Sequence, residues 1–302
     1  MLEVRRLRLL RELAARGTIA ATAEACLLTP SAVSQQLTAL EREVRTPLLI
    51  RDGRRLVLTE AAQLLVEHTE RILADLEEAE ASMVGLTGEV RGVIRLAAFP
   101  TAASSLVPSA IATSHADHPD LRVVLDGRET DEALSALKAG HLDVALVYEY
   151  NLLPDRADPG IRLVPLVREK LLVVLPPGMK ADDPLTLAAL RGESWVAPDS
   201  DTALRTALWR ACGLAGFEPR LHYTSDDYTV MIALVQAGLG VALVPQLALE
   251  PVAADLQVRD VKDLLLTRTV SAAIRAGTRG NPGVAAVISA LQAAAEGLRL
   301  TG

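Results

Sequence analysis

The chain has 302 residues, half of them apolar and only 3% aromatic, with a net charge of −7 and two cysteines. That length holds two or three domains with real cores, and no apolar run approaches the roughly 18 to 20 residues of a membrane span. The charged start MLEVRRLRLLREL lacks the apolar block of a signal peptide, and Cys26 and Cys212 fall in different predicted domains, which argues against a disulfide framework and fits a reducing cytoplasm.

The charge is unevenly placed. Residues 1–58 carry ten arginines against six acidic residues, a net +4; residues 59–90 carry −7 and the remainder −4. Attraction to phosphate is set locally, so only the N-terminal segment suits a polyanion. Its first predicted helix covers 3–16, with Val4, Leu7, Leu10 and Leu13 spaced by three and Gly17 closing it. From Thr18 to Val44 two short helices follow, joined by a tight turn. Ile19, Ala23 and Leu27 mark the apolar face of the first, and Val33, Leu37, Leu40 and Val44 that of the second. Between them, Thr29-Pro30 combines a hydroxyl cap with a proline at the first helical position. The second helix starts with Ser31, Ala32, Ser34, Gln35 and Gln36, short hydrogen-bonding side chains suited to the floor of a major groove. Residues 47–58 read as a hairpin around Asp52-Gly53, with Arg51, Arg54 and Arg55 at its tip. A wing on phosphates or the minor groove and a plain solvated turn both fit that pattern.

Thr59-Glu60 opens a long helix to about Leu86. Leu65, Ile72, Leu76, Ala79 and Met83, with Thr69 filling one gap, alternate four and three apart, a heptad seam that predicts a dimerisation rod of roughly 40 Å. Gly85, Gly88 and Gly92 then supply a joint. From Val93 short aliphatic runs alternate with helices. Strands are expected at 93–98, 122–126, 144–148, 162–166, 171–175, 195–197, 221–224, 240–244 and 269–274, and helices near 101–117, 129–139, 185–191, 202–215, 226–237, 245–251 and 282–297. The pattern indicates an α/β body of parallel sheets covered on both faces.

The order of parts resembles the LysR-type bacterial transcriptional regulators. The resemblance is carried by Ala20-Ala21-Thr22-Ala23-Glu24-Ala25, Leu28-Thr29-Pro30-Ser31-Ala32-Val33-Ser34-Gln35-Gln36-Leu37, Leu40-Glu41, Gly53-Arg54-Arg55 and Leu58-Thr59-Glu60-Ala61, and more loosely by Gly238-Leu239-Gly240-Val241-Ala242-Leu243-Val244-Pro245. It implies an α/β architecture with an N-terminal winged helix-turn-helix, a long linker helix for pairing, and a two-subdomain effector body like the periplasmic binding proteins. The expected limits are 1–58 for the DNA-binding head, 59–91 for linker and hinge, 92–163 with 268–302 for subdomain I, and 164–267 for subdomain II. Three positions depart from the family's usual residues. Gln35 stands where many relatives carry Arg, which favours an adenine over a guanine contact; Ala62 replaces a frequent Gly and Leu49 a common Phe.

The expected function is a dimeric or tetrameric, cytoplasmic transcription regulator of double-stranded promoter DNA, with no cofactor, metal, membrane or catalytic role. Pro30, Ser31, Ala32, Ser34, Gln35, Gln36, Arg51, Arg54 and Arg55 are its DNA-contact candidates. Ligands of open α/β sheets bind beyond strand ends and at helix N-termini, which selects Phe99, Thr101, Ser104, Thr130, Tyr148, Glu149, Ser200, Thr202, Asp226 and Tyr228. Rim carboxylates beside free helix amides suit an amino acid or a small carboxylate as effector; plain N-caps and edge-plugging aromatics are the competing account. His115 and His118, near Asp117 and Asp120, read as a solvated helix end rather than a metal site. Gly238-Leu239-Gly240 turns from helix to strand, the wrong order for a phosphate loop. Two rivals remain at this level: a binding protein or enzyme with an incidental helix-turn-helix, and a DNA-binding regulator that needs no effector.

Overall fold

The computed structural model describes residues 2–52, 55–85, 90–154, 158, 160–199, 202–249 and 256–298. At the N-terminus, α1 (Val4–Arg16), α2 (Ile19–Ala25) and α3 (Pro30–Val44) enclose Leu7, Leu10, Leu13, Ala23, Val33, Leu37 and Leu40, all buried. Local chemistry sets the helix ends. Gly17 adopts a left-handed φ of 73° and its amide donates to the Leu13 carbonyl. The hydroxyls of Thr18 and Thr29 accept from the amides of Ala21 and Ala32 at 3.2 Å each, capping α2 and α3. β1 (Leu49–Asp52) and β2 (Arg55–Leu58) pair antiparallel as the wing; Gly53 and Arg54 at its turn lie outside the described residues.

α4 (Glu60–Gly85) follows, with the Thr59 hydroxyl accepting from the Ala62 amide. The structure divides the predicted heptad seam. Leu65 and Ile72 pack on the core of the head, whereas Leu76, Ala79 and Met83 are exposed. Of the predicted joint, residues 86–89 lie outside the described residues.

The body runs β3 (Gly92–Ala98), α5 (Pro100–Ser105), α6 (Val107–Asp117), β4 (Leu121–Gly127), α7 (Thr130–Lys138), β5 (Val144–Tyr150), β6 (Ile161–Leu175), β7 (Ser194–Ala197), α8 (Ala203–Leu214), β8 (Arg220–Thr224), α9 (Tyr228–Gln236), β9 (Val241–Pro245), β10 (Gln257–Arg259), β11 (Thr267–Arg275) and α10 (Pro282–Glu296). Among the described residues these strands form one sheet in the order β4-β3-β5-β11-β6-β9-β7-β8, with β10 on β6. β3 pairs parallel with β4 and β5, and β7 parallel with β8 and β9. β11 and β6 run antiparallel to their neighbours and join the two parallel halves. The body is thus mixed, where the aliphatic runs alone predict parallel sheets.

Three further differences have local causes. The strands expected at 162–166 and 171–175 are one strand, because the charged stretch Arg168-Glu169-Lys170 between them pairs with β11 instead of looping out. The helix expected at 101–117 breaks at Leu106, since Pro108 has no amide to donate to Ser104. The helices expected near 185–191 and 245–251 are single 3₁₀ turns, Leu187–Leu190 and Gln246–Leu249.

The head is fastened to the body through α4. The 3₁₀ turn Ala276–Gly280, directly after β11, lies against it so closely that a β-carbon on Gly277 would run into the Ala74 backbone. Around this contact Arg11 approaches Glu70 at 4.0 Å, and Lys138 pairs with Asp158. Burial, the leading cause, raises the Glu70 carboxyl above its ordinary value, and Arg11 pulls it back. Gly277→Ala should therefore loosen α4 and destabilise the chain by about 1–3 kcal/mol. Urea unfolding reads the loss and limited proteolysis reads the loosening; an unchanged midpoint and digestion pattern would mean that the contact is not holding the linker.

Candidate DNA-reading face and ligand seam

α3 presents a polar face opposite its buried Val33, Leu37 and Leu40. Pro30, Ser31, Gln35 and Thr38 are exposed, and Ala32, Ser34 and Gln36 half-exposed. At 3.6 residues per turn Ser31, Ser34, Gln35 and Thr38 share one side, so Thr38 joins the sequence-derived set. Two members are already engaged. The Ser31 hydroxyl lies 3.0 Å from that of Thr29, and Gln36 accepts from Arg6 Nε at 3.0 Å. Gln36 thus ties α3 to α1, where Arg6 also pairs with Glu43, and Gln35 is the freer amide. The wing is positioned by a residue with no sequence-derived role: Glu41 Oε1 accepts from the amides of Leu48 at 2.9 Å and Leu49 at 3.1 Å. The backbones of Arg51 and Arg55 lie opposite Leu56 and Asp52 in the hairpin, and Arg54 lies outside the described residues.

In the body, the largest fully buried polar side chain is Arg268, near the start of β11. It lies in one cross-strand row between Tyr150 of β5 and Glu169 of β6. Its Nε donates to Glu169 Oε1 at 2.7 Å, and one terminal nitrogen reaches the same oxygen at 2.6 Å and Thr101 Oγ1 at 3.0 Å. The other Glu169 oxygen accepts from the Leu247 amide at 2.6 Å. The guanidinium stands 5.1 Å from the Phe99 ring centre and 5.3 Å from that of Tyr148. Burial alone would lower the Arg268 pKa; Glu169, then Tyr150 and Tyr228, reverse this and hold the cation charged. The Tyr150 hydroxyl is buried without a hydrogen bond of ordinary geometry, although Tyr228 and Arg268 stand near enough to influence its titration. Burial raises both tyrosines, which keeps them neutral.

The sequence-derived ligand residues distribute unevenly about this seam. Phe99, Thr101, Tyr148 and Tyr228 converge on it. Ser104 donates into its own helix, to the Thr101 carbonyl. Thr130 accepts from the Tyr148 amide at 3.3 Å and, with Tyr148 and Glu149, lines a groove of about 290 Å³ along α7 that also meets Leu134, Ile161 and Leu163. Thr202 caps α8 by accepting from Arg205 N. Asp226 is exposed, and its neighbour Asp227 is the residue that caps α9. Ser200 lies outside the described residues. Arg268 and Glu169 were not selected from sequence; the available signal is a charge at the start of the strand-like run 267–274 and a charged triplet, Arg168-Glu169-Lys170, between two aliphatic runs. Cys212 is buried and its thiol is pushed up to about 12, while Cys26 is raised chiefly by burial, so neither is a ready nucleophile. Among the described residues no group of three or more His, Cys, Asp or Glu could hold a metal ion, and no helix is long and apolar enough to cross a membrane.

Residues 4–63 match the family model of the bacterial regulatory helix-turn-helix protein, lysR family, and residues 87–296 match that of the LysR substrate binding domain. The nitrogen assimilation regulatory protein nac of Klebsiella aerogenes is 28% identical over 82% of this chain and 79% of its own. A probable hydrogen peroxide-inducible genes activator of Mycobacterium avium is 29% identical over 72% of this chain and 70% of its own. In three dimensions the chain is similar to full-length OxyR from Pseudomonas aeruginosa, with a TM-score of 0.64 at 20% identity over 97% of this chain and 95% of that one. CbnR complexed with its target DNA gives a TM-score of 0.55 at 24% identity, over 97% of this chain and all of that one.

Removing one partner of a buried ion pair strands the other. Glu169→Gln should therefore cost about 3–5 kcal/mol in urea unfolding, and the joint change Glu169→Leu with Arg268→Met distinctly less. Equal losses in the single and double variants would show that the pair is not what holds the seam.

Proposed function

This chain belongs to the LysR family of bacterial transcriptional regulators, and from that membership we propose a division of labour between its head and its body. The head reads double-stranded promoter DNA in the cytoplasm as part of a homodimer or homotetramer. Pro30, Ser31, Ala32, Ser34, Gln35 and Gln36 place α3 in the major groove, and Arg51, Arg54 and Arg55 of the wing hold the backbone or minor groove. Of the α4 seam Leu65, Ile72, Leu76, Ala79 and Met83, the exposed Leu76, Ala79 and Met83 serve pairing with a second copy, while Leu65 and Ile72 are taken up by the core of the head. A two-fold dimer sets half-site centres about one helical turn, or a multiple, apart. The single observation that carries the reading is α3 itself: an aliphatic face locked into the head behind an exposed row of small polar side chains.

The body takes a small-molecule effector between residues 92–163 with 268–302 and residues 164–267. An amino acid or a small carboxylate fits best, because a fixed guanidinium, the Thr101 hydroxyl and the rings of Phe99 and Tyr148 meet there. Bound effector shifts promoter output only as far as it favours one arrangement of the body over another. The hydrogen peroxide named for the Mycobacterium avium relative is not carried over, since burial raises both thiols of this chain.

Footprinting of the DNA upstream of the chain's own coding region, with and without a metabolite mixture, tests both halves at once. Gln35→Ala should cost about 1–3 kcal/mol at one base pair and relax specificity there, whereas Arg55→Ala should weaken all sequences alike and reduce the salt slope by about 1. Footprints indifferent to both substitutions would remove these residues from the interface. Thr101→Val should abolish the thermal shift given by a stabilising carboxylate; a shift that survives it would move the effector elsewhere.

A further inference from the structure

One residue of the head is unfavourable in two independent ways. Leu27 has a φ of 53°, in the left-handed region where a β-carbon crowds the backbone and where glycine or asparagine usually stands. It is also 93% exposed, far more than any other large apolar side chain described. Its backbone closes α2: the Leu27 amide donates to the Glu24 carbonyl at 3.2 Å, and the Leu28 amide to that of Ala23 at 2.8 Å. That geometry needs the left-handed turn and would form more readily with asparagine or glycine. The leucine side chain therefore contributes nothing to the fold that a smaller residue would not.

Its position suggests what it does contribute. Leu27 precedes the first residue of α3 by three, so their α-carbons are within about 11 Å, less than the roughly 12 Å width of the major groove. Past Leu28, which is half-buried against the head core, Thr29, Pro30 and Ser31 are exposed again. This is the rim of the face assigned to DNA, on a segment whose net charge of +4 favours a polyanion. The side chain offers no hydrogen bond, so only an apolar group can reward it. The one apolar group that a base pair displays in the major groove is the thymine C5-methyl.

We propose that Leu27 is a specificity-determining residue that packs on a thymine methyl at the edge of the half-site, and that its strained, exposed conformation is retained for that contact. The proposal rests on the head reading DNA through α3. Its test uses the full-length protein and a duplex selected from random sequence by that protein. Each thymine of the selected half-site is replaced in turn by deoxyuridine, which lacks only the methyl. Kd is then measured for the unaltered protein, Leu27→Asn and Leu27→Met.

At one position deoxyuridine should weaken the unaltered protein about fourfold, the equivalent of the ~0.8 kcal/mol of one buried methyl. Leu27→Asn should bind the thymine duplex correspondingly less tightly and be insensitive to that replacement. It should also melt a few degrees higher, because asparagine accepts the left-handed turn. Leu27→Met should keep the sensitivity. Unchanged affinity in Leu27→Asn, or a deoxyuridine effect of the same size in both proteins, overturns the contact while leaving the DNA-reading head intact. If the unaltered protein selects no sequence at all, the DNA-reading assignment falls and Leu27 falls with it.

Discussion

The arrangement of the body depends on one buried ion pair. Arg268 and Glu169 are exposed by 1% and 0%, where water cannot screen or solvate them and each needs the other to remain charged. Their partners come from separate parts of the chain: Thr101 from the start of α5, Leu247 from the turn after β9, and the rings of Phe99 and Tyr148, themselves packed edge to face at 4.7 Å, together beside the guanidinium. An aliphatic pair of similar volume would fill the space and avoid desolvating two ions. It would not specify which oxygen meets which amide, and so would leave the two halves freer to settle in other relations.

How much of this was legible in the sequence follows from the range of the interactions. The head was largely legible, because hydroxyl caps, Pro30 and Gly17 act on backbone groups three or four positions away and aliphatic spacing marks most of the buried faces. Leu27, expected on the apolar face of the first helix of the pair, is the exception, since α2 ends at Ala25 and the left-handed turn after it leaves Leu27 93% exposed. The body was legible as alternating strands and helices, but its joints were not. Arg168-Glu169-Lys170 reads as a loop in isolation; it is strand because β11, nearly a hundred residues further on, supplies the ladder. For the same reason the residues chosen at strand ends include Phe99, Thr101, Tyr148 and Tyr228, which meet about Arg268, and omit the ion pair itself. Thr202 shows the converse: its chemistry at a helix start was visible, and its hydroxyl is occupied in capping α8.

The long helix shows how one pattern can serve two surfaces. A heptad repeat records which residues are apolar but not what they meet. The proximal part of the seam, Leu65 and Ile72, completes the small core of the head, while Leu76, Ala79 and Met83 face outward. A three-helix head of about sixty residues has little interior of its own, so borrowing the first turns of α4 enlarges its core and makes the linker part of the head rather than a tether. Any change in the direction of α4 is then a change in where α3 points.

β11 connects this lever to the seam. Arg268 lies at its beginning, and Gly277, pressed against Ala74 of α4, lies in the turn that follows its end. From Arg268 to the end of the strand at Arg275 the rise of about 3.3 Å per residue covers roughly 23 Å, along a strand hydrogen-bonded on both sides to β5 and β6. Such a strand is stiff along its length and moves with its neighbours rather than bending alone. A rearrangement that draws Arg268 away from Glu169 must either distort these two ladders or carry the whole strand, and the second alternative takes the Gly277 turn with it. The close approach at Ala74 leaves no slack to absorb that motion. An effector bound at this seam, as proposed, would couple to α4 only as far as it prefers one of the two arrangements, with the strand as the route between them.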